Sequence, residues 1–207
     1  MARKVFFSFH YERDAWRAAQ VRNCNVLANE DEFGFIDSVD WEKLQREGDE
    51  AIESWINGQL KGTSVSVVLI GAETASRPWV RYEIVRSWNR GNGIVGVWIH
   101  NLKDKDTTID PPGHNPFEHF QLVDGTPLSK ICKVYDWAGE VGRNNLGKWV
   151  EEAVKIRAKY AENDKIDEVE KQSASLAAKA FTIPRVTSSA GFAPKAPWCP
   201  TYVDRKR

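Results

Sequence analysis

Short, nearly uninterrupted apolar runs at Val5 to Phe9, Val65 to Ile70 and Ile94 to Ile99 constrain this chain more than any other feature, because each is too short for a helix and too apolar for a half-exposed strand. Strands of that kind are covered on both faces, and the stretches between them supply the cover. Leu44, Gly48, Ile52, Trp55, Ile56 and Leu60 recur at helical spacing and Gly62 closes that helix, while Trp16, Ala19, Val26 and Leu27 give an earlier helix an inner stripe, with Asp14 as its cap. Gly34-Phe35-Ile36 reads as a short second strand ending at Asp37, Ser38 to Trp41 as a polar loop, Ile131 to Tyr135 as a fifth strand, and Leu146, Trp149, Val150, Ala153, Arg157, Tyr160 and Ala161 as the stripe of a last helix. Strands alternating with helices at this rhythm predict an α/β fold, a doubly wound five-stranded parallel sheet of strand order 2-1-3-4-5, within a domain spanning residues 1–163. Residues 164–207 change character: an Ala-rich helical stretch leads into Pro184, Pro194, Pro197 and Pro200, predicting a C-terminal extension that serves as linker or docking segment.

After the Val65 to Ile70 strand and Gly71 comes Ser76-Arg77-Pro78-Trp79-Val80-Arg81-Tyr82-Glu83-Ile84. Pro78 suits a first helical turn, so the helix is expected to start at Ser76 or Arg77. At about 100° per residue, Val80, Ile84 and Trp88 share one stripe, and Glu83 falls at its margin beside Trp79. A carboxylate there is half desolvated and able to meet a cationic ligand. The plainer reading is a solvated helix glutamate helped by Arg81 or Arg86.

Lysine plus arginine equals aspartate plus glutamate at 29 each, so no global field draws in nucleic acid or a membrane. No apolar run approaches spanning length and the N-terminus lacks a signal-peptide core, which predicts a cytoplasmic protein. Cys24, Cys132 and Cys199 are scattered, with neither a disulfide framework nor a zinc spacing; no metal is expected. Nine tryptophans are more than a core of this size needs, so some should line a groove or an interface.

In an open parallel sheet the ligand crevice lies outside the carboxyl ends of the strands at the point where the winding reverses, here between the first and third strands. The segments leaving those strands are Ser8-Phe9-His10-Tyr11 and Ala72 to Trp79; Asp37 leaves the second strand beside them, and Glu83 stands on the far wall. Other patterns carry less. Gly91-Asn92-Gly93-Ile94-Val95-Gly96 has the letters GxGxxG but enters a strand instead of opening a helix, so it reads as a helix stop and a strand start. His114 and His119 flank Asn115-Pro116-Phe117 in a long loop from His100 to about Leu128 without a third ligand. Asp37 and Asp40 suggest a phospho-acceptor pocket only weakly, because the acidic pair expected after the first strand is missing.

Val5-Phe6-Phe7-Ser8-Phe9-His10, Gly34-Phe35-Ile36-Asp37 and Trp79-Val80-Arg81-Tyr82-Glu83-Ile84 resemble the three boxes of TIR (Toll/interleukin receptor) domains, in their usual order, over about residues 3 to 160. The likeness is strongest to TIR-like subunits of the bacterial Thoeris anti-phage system, including the turn at Asn115-Pro116-Phe117. The resemblance implies a flavodoxin-like fold and, in the enzymatic branch, cleavage of the nicotinamide–ribose bond of NAD, with NAD as substrate and no cofactor beyond it. The WxxxE pattern of that branch falls on Trp79 and Glu83, which makes Glu83 the implied catalytic residue. From their positions around the expected groove, Ser8, Phe9, His10, Asp37, Trp79, Tyr82 and Asn115 are the expected NAD-binding set. The implied output is a cyclic ADP-ribose isomer acting on a separate effector, with a phage-derived trigger and self-association through TIR–TIR contacts. His10 stands where many TIR domains carry arginine, whereas the Thoeris proteins this chain resembles also have histidine. Two further functions share the fold: a non-enzymatic adaptor acting by TIR stacking, and a nucleotide-binding sensor without turnover.

Overall fold

The computed structural model describes residues 3–24, 38–161 and 164–166. Its elements run β1 (Val5–Ser8), α1 (Tyr11–Arg22), α2 (Ser38–Glu47), α3 (Asp49–Leu60), β2 (Val65–Ile70), α4 (Pro78–Asn89), β3 (Gly93–Trp98), α5 (Leu128–Ile131), β4 (Val134–Asp136) and α6 (Gly142–Arg157). The four strands form one parallel sheet in the order β1-β2-β3-β4. These correspond to the first, third, fourth and fifth strands of the sequence reading. The second, at residues 34–36, lies outside the described residues, as does Asp37, so a four-strand order stands where five strands were expected.

Strand alternation divides the core. Val5, Phe7, Val65, Val67, Leu69, Val95 and Val97 face Ala18 and Val21 of α1 and Leu146, Trp149, Val150 and Ala153 of α6. On the other face, Val68, Ile70 and Ile94 meet Val80, Ile84 and Trp88 of α4, while Phe6 meets Ile52, Ile56 and Leu60 of α3. The stripe read from the sequence for α4 is therefore the buried one, and the helix starts with Pro78 at its first position and Arg77 as N-cap. Gly91, at φ +94°, stops α4, and β3 begins at Gly93, where a Cβ would fall 2.6 Å from the Ala153 carbonyl carbon. Gly93→Ala should accordingly cost about 2 kcal/mol, since backbone of α6 cannot step aside as a side chain would; an unchanged urea midpoint would contradict this contact.

Several local readings are corrected. Asp14 does not cap α1: the helix starts earlier, with His10 as N-cap, and Asp14 is buried inside the first turn. The inner face of α1 is Asp14, Arg17, Ala18 and Val21, whereas Trp16 is 48% exposed. Hydrophobicity alone had favoured the tryptophan, and a buried ion pair took its place. Ser38 to Trp41 opens α2 rather than forming a loop, and Gly48, at φ +98°, separates α2 from α3 where one helix was expected. Ile131 ends the short α5, and the last strand begins only at Val134.

Beyond α6, the described part of the extension packs on the domain. Ile166 is 2% exposed and bridges to Leu122, and the Trp88 indole N–H donates to the Asp164 carbonyl at 2.6 Å. Residues 167–207 lie outside the described residues. No helix among the described residues is long and apolar enough to cross a membrane.

Candidate active site

Ser8, Val68, Gly96 and Val134 stand side by side in register across the sheet and share the face that α4 covers. One turn structure decides what meets Ser8. With Pro78 fixing the start of α4, Val80, Ile84 and Trp88 form one buried ridge, and Glu83 and Ser87 form the ridge beside it. That second ridge lies against two small hydroxyl residues of the sheet: Ser66 Oγ donates to Ser87 Oγ at 2.7 Å, and Ser8 Oγ donates to Glu83 Oε2 at 2.5 Å. A polar seam thus runs through an otherwise apolar layer, and its end at the carboxyl terminus of β1 holds a carboxyl group.

Glu83 is buried, not half-exposed at a margin, and burial pushes its carboxyl up to about 8, opposed by the Ser8 hydrogen bond. The arginines of the plainer reading are engaged elsewhere. Arg81 Nε donates to the Ala75 carbonyl and Arg86 Nε to Asn57 Oδ1, each at 3.0 Å. The solvated, arginine-helped glutamate is therefore not what the fold contains. Around neutral pH the group is largely protonated, and a cation brought beside it would draw off the proton and stabilise the ion.

The other expected residues divide by position. Trp79, half-buried, sits edge-on to Tyr82 at 5.9 Å between ring centres and packs with the α3 cluster. Tyr82 is committed to that cluster as well: its hydroxyl accepts from Asn57 Nδ2 at 3.1 Å and donates to Glu53 Oε2 at 3.3 Å. His10 is 7% exposed, and neither ring nitrogen has a hydrogen-bond partner among the described residues. Burial, and then the positive charge of Arg77, hold it below the ordinary histidine value, so it is neutral and offers one donor and one acceptor. Phe9 is not brought to Glu83: it packs with the core on the α1 and α6 face, opposite Ser8. Asn115 caps the turn Pro116–His119 by accepting from the Phe117 N–H at 3.0 Å, and Phe117 is fully buried in the α4-side core. The structure thus joins Ser8 to Glu83, while Trp79 stands in the first turn of α4 and His10 at the N-cap of α1. Asn115 stands in the loop that follows β3, and Asp37 is outside the described residues.

Sequence reasoning missed a charged assembly at the same end of the sheet. Arg17, 1% exposed, pairs with Asp14 at 3.2 Å, Asp110 at 3.0 Å and Asp104 at 3.5 Å, and donates to the carbonyls of Leu102 and Thr108. The Asp14 carboxylate lies against Gly71, where any side chain would collide with it. Burial raises Asp14 to about 6 although Arg17 opposes this. Arg13 and Arg17 are four residues apart, the spacing of one helix face, but nothing local places Asp110 against them.

A family model described as "Thoeris protein ThsB, TIR-like domain" matches residues 6–104, which include β1, α4, Ser8 and Glu83. A protein of Bacillus cereus (strain MSX-D12) named "Putative cyclic ADP-D-ribose synthase ThsB1" is 40% identical over 153 residues, covering 73% of this chain and 76% of that protein.

Proposed function

This chain belongs to the Thoeris ThsB TIR-like family, and from that premise we propose that it is a defence signalling enzyme that breaks the nicotinamide–ribose bond of NAD and closes the remainder into a cyclic ADP-ribose isomer, which acts on a separate effector. The observation that carries this reading is the buried Glu83 carboxyl, held by Ser8 at the carboxyl end of β1. The name of the Bacillus cereus relative supports the same class of product. The reading includes the flavodoxin-like strand order and self-association through TIR–TIR contacts.

The chemistry follows from charge. Bond breaking leaves nicotinamide as a neutral molecule carrying both electrons of the bond, so no general acid is needed; the ribose is left with oxocarbenium character. The positively charged nicotinamide ring of bound NAD favours loss of the Glu83 proton, and the carboxylate then faces the cation that develops on the sugar in a water-poor setting, where the attraction is strong. Glu83 also stands where it can orient ribose hydroxyls, as carboxylates do in glycoside cleavage. Trp79 supplies a flat face, and Ser8, His10, Asp37 and Asn115 supply hydrogen bonds to phosphate or ribose. Tyr82 holds α4 to α3 and Phe9 supports the strand end from behind.

Ser8→Ala tests the pairing without removing the carboxyl. The Ser8 hydrogen bond stabilises the ionised form, so its loss raises the Glu83 value further. The alkaline-going limb of nicotinamide release should move up by about one pH unit, one unit being worth about 1.4 kcal/mol. A limb that stays in place would separate Ser8 from the chemistry. The reading itself is tested by incubating the protein with NAD and following nicotinamide: release dependent on Glu83 supports an enzyme, NAD bound but returned intact supports a sensor, and protection of cells that survives loss of Glu83 supports an adaptor.

A further inference from the structure

Four side chains of alternating charge form a continuous line from the long loop after β3 to the start of α4. Arg13 Nε and Nη2 donate to the two carboxylate oxygens of Asp110 at 3.0 and 2.9 Å, and its Nη1 donates to Glu73 Oε1 at 3.0 Å. The second oxygen of Glu73 accepts from Arg77, the N-cap residue of α4. Glu83 follows Arg77 by six residues, or about 9 Å along the helix axis. Arg17 anchors the loop to α1 through Asp104, Asp110 and two carbonyls, and Arg13 adds the tie from Asp110 to Glu73, at the approach of the helix carrying the candidate catalytic group.

The loop so fastened is stiff and closely applied. Asp104 Oδ1 accepts from the N–H groups of Asp106 and Thr108 at 2.9 Å, and Thr108 Oγ1 donates to Asp104 Oδ2 at 2.7 Å, which folds the tip on itself. At the loop's far side Gly113 lies on the carbonyls of Gly71 and Ala72, at the carboxyl end of β2, with no room for a methyl group between them. The loop is thus applied to the carboxyl end of β2, the strand that pairs with β1 beside Ser8.

We infer that Arg13 is a positioning residue for the second half of the reaction: by tying the loop of residues 100–113 to Glu73 through Asp110, it directs capture of the ribose cation to the adenosine end of the same molecule instead of to water. This rests on the NAD-cleaving reading above. Once the bond to nicotinamide has broken, a nucleophilic atom of the adenosine part forms the new bond to the anomeric carbon and gives up a proton, yielding the cyclic isomer. If water attacks in its place, it loses the proton and linear ADP-ribose results. Both routes leave the first step unchanged, so the ratio of products reports the wall and not the carboxyl.

The full chain is incubated with NAD as wild type, Arg13→Gln, Arg13→Lys and Asp110→Asn, and nicotinamide, cyclic product and linear ADP-ribose are quantified by mass spectrometry. Arg13→Gln is expected to release nicotinamide at close to the wild-type rate while its cyclic-to-linear ratio falls about ten-fold, the equivalent of about 1.4 kcal/mol in partition. Asp110→Asn should shift the ratio the same way from the other side of the bond, and Arg13→Lys should recover part of it. An active wild type whose ratio is unchanged in both Arg13→Gln and Asp110→Asn overturns the inference alone. A wild type that releases no nicotinamide overturns the reading beneath it as well, and a wild type making only linear product overturns the inference and the cyclase half of that reading.

Discussion

Glu83→Gln is expected to slow nicotinamide release by about a thousand-fold, or about 4 kcal/mol of barrier, and to make the fold harder to unfold at neutral pH. The two effects share one cause. A buried carboxyl whose value climbs from 4.5 to about 8 on folding binds more protons in the native state than in the unfolded state throughout that interval. Stability therefore falls as pH rises from about 4.5 to about 8, by about 1.4 kcal/mol per unit where the difference is a full proton. Below 4.5 the group costs nothing, because it is protonated in both states. Glutamine cannot ionise and keeps an oxygen for the Ser8 hydroxyl, so the variant should lose this slope and gain about 3 kcal/mol near pH 7, less the cost of its buried amide N–H groups. Denaturant midpoints of both proteins between pH 4 and pH 9 measure this. Parallel profiles would mean that Glu83 reaches water in the native protein.

Arg17→Met should be the most damaging substitution among the charged residues, at about 3 to 5 kcal/mol, because it leaves buried acidic partners without their cation. Methionine keeps much of the volume, so the loss is of charge and hydrogen bonds more than of packing. Asp14 is fully buried, its Oδ2 has no hydrogen-bond partner among the described residues, and Arg17 is what holds its value down to about 6. Without the arginine that value rises, and more of the carboxyl enters the fold protonated. The sign follows: the native state of the variant binds the extra proton, so its deficit against wild type should be greatest above about pH 6 and shrink toward pH 4. Urea titrations at both ends of that range, with Asp14→Asn added to Arg17→Met, check it; the double variant should be more stable than the single one at neutral pH. Equal deficits at both pH values would mean that packing, not charge, dominates.

How much of this was legible in the sequence follows from what periodicity measures. β2 and β3 read as apolar runs because both their faces are covered, and Val80, Ile84 and Trp88 read as a stripe because Pro78 fixes where the helix begins. The same geometry placed Glu83 beside the buried ridge, though not how deep, since depth depends on small residues of two strands, Ser8 of β1 and Ser66 of β2, leaving space beneath α4. α1 misled because its inner face is built around Asp14 and Arg17, two residues that a hydrophobic pattern assigns to solvent. Gly48 was read as one more small residue in a helical row, and only its positive φ shows it to be the break. The Arg13–Asp110 pair joins residues 97 positions apart and left no local trace. Phe9 was placed in the groove by adjacency to Ser8, yet neighbours along a strand point to opposite faces.

The account turns on Glu83 serving as counter-ion to a sugar that becomes cationic. Its most direct test is mass analysis of NAD-derived products in phage-infected cells making either the wild-type chain or Glu83→Gln at matched levels. Free nicotinamide together with a species one water lighter than ADP-ribose should accumulate with the wild type and be missing with the variant. The same products in both, at the same level, would contradict it.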